Sequence, residues 1–282
     1  MSNIAIVTDS TCDLTKDLVQ KHNITVVPLT VLFGEEQFLD DGKSITIKEF
    51  YEKLKTFPTL PKTTQPSPGD FIKVYKELLE SNDSIISIHI SKKMSGTIAS
   101  AEMAKKEFKD SDIEIIDSEV VHMPLGFIVL EAAIMANEGK SKEEILKKVN
   151  DLRPKLKILF VPNTLEYLKK GGRIGRSKAL LASLLDIKPI LTLKFGEVSP
   201  FKNTRRWNQA KNELINSIES MSENPENIVI SVSDSAAKEE GDEMAERIKE
   251  KYNPKKIYRT DVGCVVGTHL GPGGIAISFY EE

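Results

Sequence analysis

The chain has 282 residues, 40% of them hydrophobic and 29% charged, with a net charge of −3; this is a water-soluble globular composition with enough core for one or two domains. The charge balance argues against a nucleic-acid or anionic-membrane surface, and no apolar run approaches the roughly 20 residues of a membrane span. Two distant cysteines, Cys12 and Cys264, make neither a disulfide framework nor a zinc site, and with no signal-peptide pattern at Met1-Ser2-Asn3-Ile4 the expected compartment is a reducing cytoplasm.

In chain order, residues 4–8 form an apolar strand ending in Asp9-Ser10-Thr11, and a helix follows over 14–22. Residues 24–33 are rich in β-branched side chains and read as a strand. Gly34-Glu35-Glu36 and Asp40-Asp41-Gly42 read as turns of a small hairpin. Helices are expected over 47–56 and 68–81, the second opened by Pro68 in its first turn. A buried-type strand over 85–90 leads to a helix over 97–109, and a strand over 113–116 leads to helices over 124–137 and 141–152. This alternation predicts a mostly parallel sheet with helices on both faces.

The rhythm changes near Arg153-Pro154. Beyond it come a strand over 157–162, a short helix capped by Gly171 or Gly172 in a left-handed conformation, and a helix over 178–185. Strands over 187–193 and 197–201 flank Lys194-Phe195-Gly196 and pair antiparallel. A long helix over 207–221, a strand over 228–232, a helix over 236–251 and strands over 256–260 and 275–280 complete the chain. The second half predicts an antiparallel or mixed sheet with helices on one side. The expected domains are 1–155 and 156–282.

No P-loop, metal-protease helix, paired-cysteine motif, dinucleotide fingerprint or nucleophile elbow occurs. Three segments instead combine hydroxyls, glycines and low charge: Thr63-Thr64-Gln65-Pro66-Ser67, Ser91 to Thr97, and Gly267 to Gly274. Exposed backbone N–H groups and neutral hydroxyls hold an oxyanion without a metal. Ser95, Gly96 and Thr97 follow a strand and open a helix, where free N–H groups and the positive dipole end meet a ligand; the plainer alternative is that Ser95 caps the helix. One of Thr63 and Thr64 faces a cavity or neither does, and Ser67 caps the next helix. Asp9 to Asp13 and Asp117-Ser118 also end strands, with capping as the simpler role. Ser235 in Ser235-Ala236-Ala237-Lys238 is read as a helix cap. Arg173 and Arg176 lie among glycines, and Arg205-Arg206 opens a helix against the dipole preference for cations, which hints at a partner. His269 lies among glycines rather than on an apolar face.

Taken together, Thr8 to Leu14, Thr63 to Ser67, Ser95-Gly96-Thr97, Leu168 to Ile174, Lys188 to Leu191 and His269 to Gly273 resemble the DegV family, in the family's order and over nearly the whole chain. The resemblance implies a two-domain α/β protein holding a long-chain fatty acid in a tunnel between its domains. It implies a non-catalytic, cytoplasmic carrier subunit of bacterial fatty acid kinase, with no cofactor and no metal. A separate ATP-dependent kinase phosphorylates the carboxylate, and transient membrane contact accompanies lipid delivery. Carried onto this sequence, Thr63, Ser95, Gly96 and His269 bind the carboxylate, with Thr64 and Thr97 beside them. Arg173 and Arg205 lie at the pocket mouth facing the kinase; Arg206 is the alternative to Arg205, because Asn203-Thr204-Arg205-Arg206-Trp207 departs from the family's basic pattern, and Thr64 stands where a serine is common. Candidate tunnel walls are the apolar residues around Ile90, 123–127 and 180–185.

Two other readings remain open from the residues. In one, Ser95 is a nucleophile and His269 its base in a stand-alone hydrolase or acyltransferase. In the other, the glycine-rich segments bind a phosphorylated small molecule.

Overall fold

The computed structural model describes residues 3–183 and 187–282; Met1, Ser2 and residues 184 and 185 of the helix expected over 178–185 lie outside the described residues. The chain forms two compact units, Met1–Ile45 with Thr63–Pro154, and Thr46–Lys62 with Lys155–Glu282. A single cut near residue 155 does not express the excursion of residues 46–62 into the second unit.

In chain order the elements are β1 (Ile4–Asp9), a 3₁₀ turn (Ser10–Cys12), α1 (Lys16–Lys21), β2 (Ile24–Val27), β3 (Thr30–Phe33) and β4 (Glu36–Leu39). Next come α2 (Ile47–Thr56), which belongs to the second unit, β5 (Lys62–Thr64), α3 (Pro68–Leu78), β6 (Ser84–His89), α4 (Thr97–Lys105), β7 (Asp112–Asp117), α5 (Met123–Asn137) and α6 (Lys142–Leu152). The main sheet of the first unit runs β2-β1-β6-β7, all parallel. The expected strand over 24–33 is two strands. Pro28 has no N–H for a ladder, so β2 stays in the parallel sheet while β3 turns away to pair antiparallel with β4.

Alternation along the strands supplies both faces. Ala5, Val7, Ile85 and Ile113 pack with Phe71 and Tyr75 of α3 and Ala101 and Ala104 of α4. α5 packs along β1, β6 and β2 and buries residues all round its surface, from Met123 to Leu130. Gly126 lets it approach β1's loop: a methyl there would lie 2.7 Å from the Cys12 carbonyl oxygen. Helix starts follow their local code. Thr46, Ser67 and Ser141 each close a capping box with Glu49, Asp70 and Glu144.

The second unit continues with β8 (Lys157–Val161), α7 (Glu166–Lys170), a 3₁₀ stretch (Gly175–Ser183), β9 (Lys188–Lys194), β10 (Glu197–Thr204), α8 (Trp207–Met221), β11 (Ile228–Asp234), α9 (Lys238–Tyr252), β12 (Lys256–Asp261), α10 (Cys264–Leu270) and β13 (Ile275–Glu281). The sheet order is β10-β9-β8-β13-β11-β12; β11 and β12 are parallel and the other pairs antiparallel. Leu159, Val161, Ile230 and Ile277 face α8 and α9. Ile158, Phe160, Leu191 and Ala276 face Leu165 and Leu168 near α7 and Leu270 of α10. Helices therefore cover both faces, not one. A second local reading is also corrected: Ser235 does not cap α9. Its Oγ accepts the Gly274 N–H at 2.7 Å, and Asp234 Oδ1 accepts the Ala237 N–H instead.

Candidate ligand-binding site

The order β2-β1-β6-β7 reverses direction between β1 and β6. At such a switch point the loops leaving neighbouring strands part and open a crevice beyond their carboxyl ends. Ser10–Cys12 leaves β1 there and Ser91 to Gly96 leaves β6. Ser91 O accepts the N–H groups of Met94 (2.9 Å) and Ser95 (3.1 Å), folding this loop into a tight turn. The N-cap of α4 is Gly96, with no side-chain cap. Ser95 Oγ pairs with Thr97 Oγ1 at 2.8 Å and accepts the Thr97 N–H at 3.3 Å, so two hydroxyls and an open helix start converge. Ser95 and Gly96 are half-buried and Thr97 is fully buried.

The Thr63–Ser67 segment lies beside this loop. A methyl on Gly96 would come within 2.6 Å of Gln65 Nε2, so the Gln65 side chain packs against the bare backbone of the α4 start. On β5, Thr63 is half-buried and Thr64 exposed. Ser67 is taken by its capping box, its Oγ accepting from Asp70 N at 3.2 Å. The first unit thus brings Thr63, Thr64, Ser95, Gly96 and Thr97 into neighbouring segments.

Beneath them runs a buried polar chain. Tyr75 Oη donates to Ser87 Oγ (2.8 Å), Ser87 Oγ lies 2.7 Å from His89 Nε2, and His89 Nδ1 lies 3.0 Å from Asp9 Oδ2. Asp9 Oδ2 also accepts the Ile90 N–H at 3.0 Å, while Oδ1 accepts Thr11 N (3.1 Å) and Thr11 Oγ1 (2.5 Å). Tyr75, Ser87, His89 and Asp9 are all 0% exposed. Sequence reasoning missed this chain. Its trace was Ser87 and His89 alternating with Ile86 and Ile88 in an otherwise apolar strand.

In the second unit, α7 ends in a Schellman motif: Arg173 N donates to Leu168 O (2.9 Å) and Gly172 N to Lys169 O (3.1 Å), with Gly172 at φ +72°. This places Arg173, whose Nη1 donates to Gly171 O at 2.8 Å. His269 lies one residue before the end of α10, and its ring packs on Gly171. Burial, with the Arg173 charge adding to it, pulls the His269 pKa down from 6.5 to about 4. His269 is therefore a neutral hydrogen-bonding group at physiological pH and a weak base. α2 supports α10 from behind: Tyr51 Oη donates to Val262 O at 3.0 Å, and a methyl on Gly267 would lie 2.5 Å from that hydroxyl. Arg205 and Arg206 are exposed at the start of α8, and Arg205 N donates to Gln209 Oε1 at 3.1 Å.

The first unit carries glycine-guided loops at a switch point, and the second carries a neutral histidine beside an arginine; each set on its own offers donors suited to an oxyanion without a metal. Among the described residues no group of His, Cys, Asp and Glu is arranged to hold a metal. The family model for the uncharacterised DegV proteins matches residues 3–282. The chain belongs to the DegV family. A DegV domain-containing protein of Clostridium acetobutylicum is 38% identical over 99% of this chain and 98% of its own length. Protein DegV of Bacillus subtilis is 33% identical over 98% of each. Among solved structures, a Thermus thermophilus DegV protein described by its fatty acid binding superposes with a TM-score of 0.94 at 34% identity, covering 100% of both chains. Bacillus subtilis DegV, described as a fatty acid binding protein, gives 0.91 at 32%, again over 100% of both. A stearic-acid-binding protein of Eubacterium ventriosum gives 0.90 at 29%, over 100% of this chain and 98% of its own.

Proposed function

We propose that this protein binds a long-chain fatty acid and acts as a carrier rather than a catalyst. The observation that carries the reading is its full-length likeness to DegV structures described as fatty acid binding. On the DegV resemblance we assign Thr63, Ser95, Gly96 and His269 to carboxylate binding, with Thr64 and Thr97 as adjoining candidates. No metal or cofactor takes part. Each CH₂ removed from water contributes about 0.8 kcal/mol, so the acyl chain supplies roughly 10 kcal/mol before ordering costs, and the head-group bonds orient the ligand. A neutral His269 suits a group that is anionic before and after phosphorylation.

We further propose that a separate fatty acid kinase phosphorylates the bound carboxylate, with Arg173 and Arg205 facing that partner. The local geometry favours a carrier over self-contained acyl transfer: Ser95 Oγ is engaged by Thr97, and His269 has the proton affinity of a weak base. Titration with palmitate and oleate tests the first step, with saturable one-to-one binding expected. Adding kinase and ATP tests the second: acyl phosphate forms only with both proteins present, and Arg205→Ala, at an exposed position, reduces it while leaving lipid binding intact. Acyl phosphate or ester turnover by this protein alone would overturn the carrier reading.

A further inference from the structure

The anion-binding loop proposed above departs directly from a residue tied to Asp9. Ile90, the first residue past β6, donates its N–H to Asp9 Oδ2 at 3.0 Å, and Ser91 begins the loop that ends at Thr97. The same carboxylate accepts Thr11 N and Thr11 Oγ1 on its other oxygen. Asp9 therefore ties together the two loops on either side of the switch point. The loop from β7 closes the arrangement. Val120 O accepts Ser91 N at 2.9 Å, and Thr11 O accepts His122 N at 2.8 Å.

His89 meets the same Asp9 oxygen that accepts the Ile90 N–H. Ser87 Oγ accepts from Tyr75, so its own proton points to His89 Nε2, and His89 Nδ1–H is left to donate to Asp9. Each link fixes the sense of the next, and all four side chains are fully buried. Phe71 adds an edge-to-face contact on the imidazole, with centroids 5.1 Å apart. A buried carboxyl group is costly unless its oxygens are hydrogen-bonded, and Asp9 meets four partners, which in turn are held by it. Here two of those partners are backbone N–H groups at the starts of the two loops flanking the switch point. Ser87, His89 and Asp9 form a Ser–His–Asp line, yet with no exposed atom it reaches no substrate, so its output is position.

We infer that Asp9, oriented by His89, is a positioning residue that sets the Ser91–Thr97 loop for carboxylate recognition. The inference rests on the fatty-acid reading and deepens it, because it concerns the head group and not the acyl tail.

The test compares palmitic acid with 1-hexadecanol, which shares the tail and lacks the carboxylate. A lesion that merely destabilises the fold lowers the competent fraction and weakens both ligands equally, leaving their affinity ratio unchanged. A mis-set loop lowers the ratio itself. Asp9→Asn is expected to reduce the acid-to-alcohol ratio about tenfold or more, the scale of one charge-assisted hydrogen bond. His89→Leu removes one donor to Asp9 without touching the loop and is expected to lower the ratio in the same direction; it decides the matter alone if Asp9→Asn does not fold. Tyr75→Phe removes the link that sets the Ser87 proton but keeps the His89–Asp9 pair, so it is expected to lower the ratio less than His89→Leu does. Wild-type ratios in both Asp9→Asn and His89→Leu, or in whichever folds, would overturn the inference while leaving fatty-acid binding standing. A wild-type protein that binds neither ligand would overturn the fatty-acid reading itself.

Discussion

The His269 ring packs against Gly171 with no room for a methyl group between them. The contact joins α10 to the end of α7, and it is what keeps the ring beside Arg173. Gly171→Ala must push the ring or the helix end aside. We expect fatty-acid affinity to fall about tenfold, with a stability loss of about 1–3 kcal/mol from overpacking. Calorimetric titration and thermal unfolding of the variant check both.

The low pKa of His269 makes stability depend on pH. Its folded value, about 4, lies below its ordinary 6.5, so the unfolded chain takes up the proton first. Stability from this group is complete above about 6.5 and is lost as pH falls from there to about 4. The loss is about 2 kcal/mol once the solvent-reached part of the ring is discounted. Denaturant unfolding across this window is expected to show that decline, and His269→Gln is expected to flatten it relative to wild type.

Ser67 adjoins the Thr63–Thr64 segment but is committed to capping α3. Ser67→Ala should cost about 1 kcal/mol of stability and leave fatty-acid affinity within about twofold, a shift of no more than ~0.4 kcal/mol. A large affinity loss at unchanged stability would assign the hydroxyl to the ligand instead.

Burial pushes the Cys12 thiol far up from its ordinary range, so little thiolate is available. Cys12 should resist iodoacetamide in the native protein and react at the rate of unfolding in denaturant. Fast native alkylation at Cys12 would contradict the packing of α5 on the first loop.

Local chemistry was legible in the sequence, and long-range chemistry was not. The caps at Ser67 and the pairing of residues around Lys194-Phe195-Gly196 depend on neighbours a few positions away, and the structure places both as read. Ser235 carried the same local signature as Ser67, but Gly274 takes its hydroxyl from 39 positions downstream, and tertiary bonding displaced the cap. The break at Pro28 was visible only as a missing donor inside a strand-rich run. The excursion of residues 46–62 has no composition signal, because its contacts are long-range, as in Tyr51 reaching Val262, 211 positions away. Asp9 and His89 stand 80 residues apart. Singly, Asp9 looked like a cap and His89 belonged to no motif, and only the parallel register of β1 and β6 joins them.

The most direct test of fatty-acid binding is mass spectrometry of a denaturing lipid extract from the purified protein, beside a Thr63→Ala/Ser95→Ala variant. The account predicts a fatty acid near one equivalent in the wild type and markedly less in the variant. A wild-type protein that is empty and takes up no added fatty acid would contradict it.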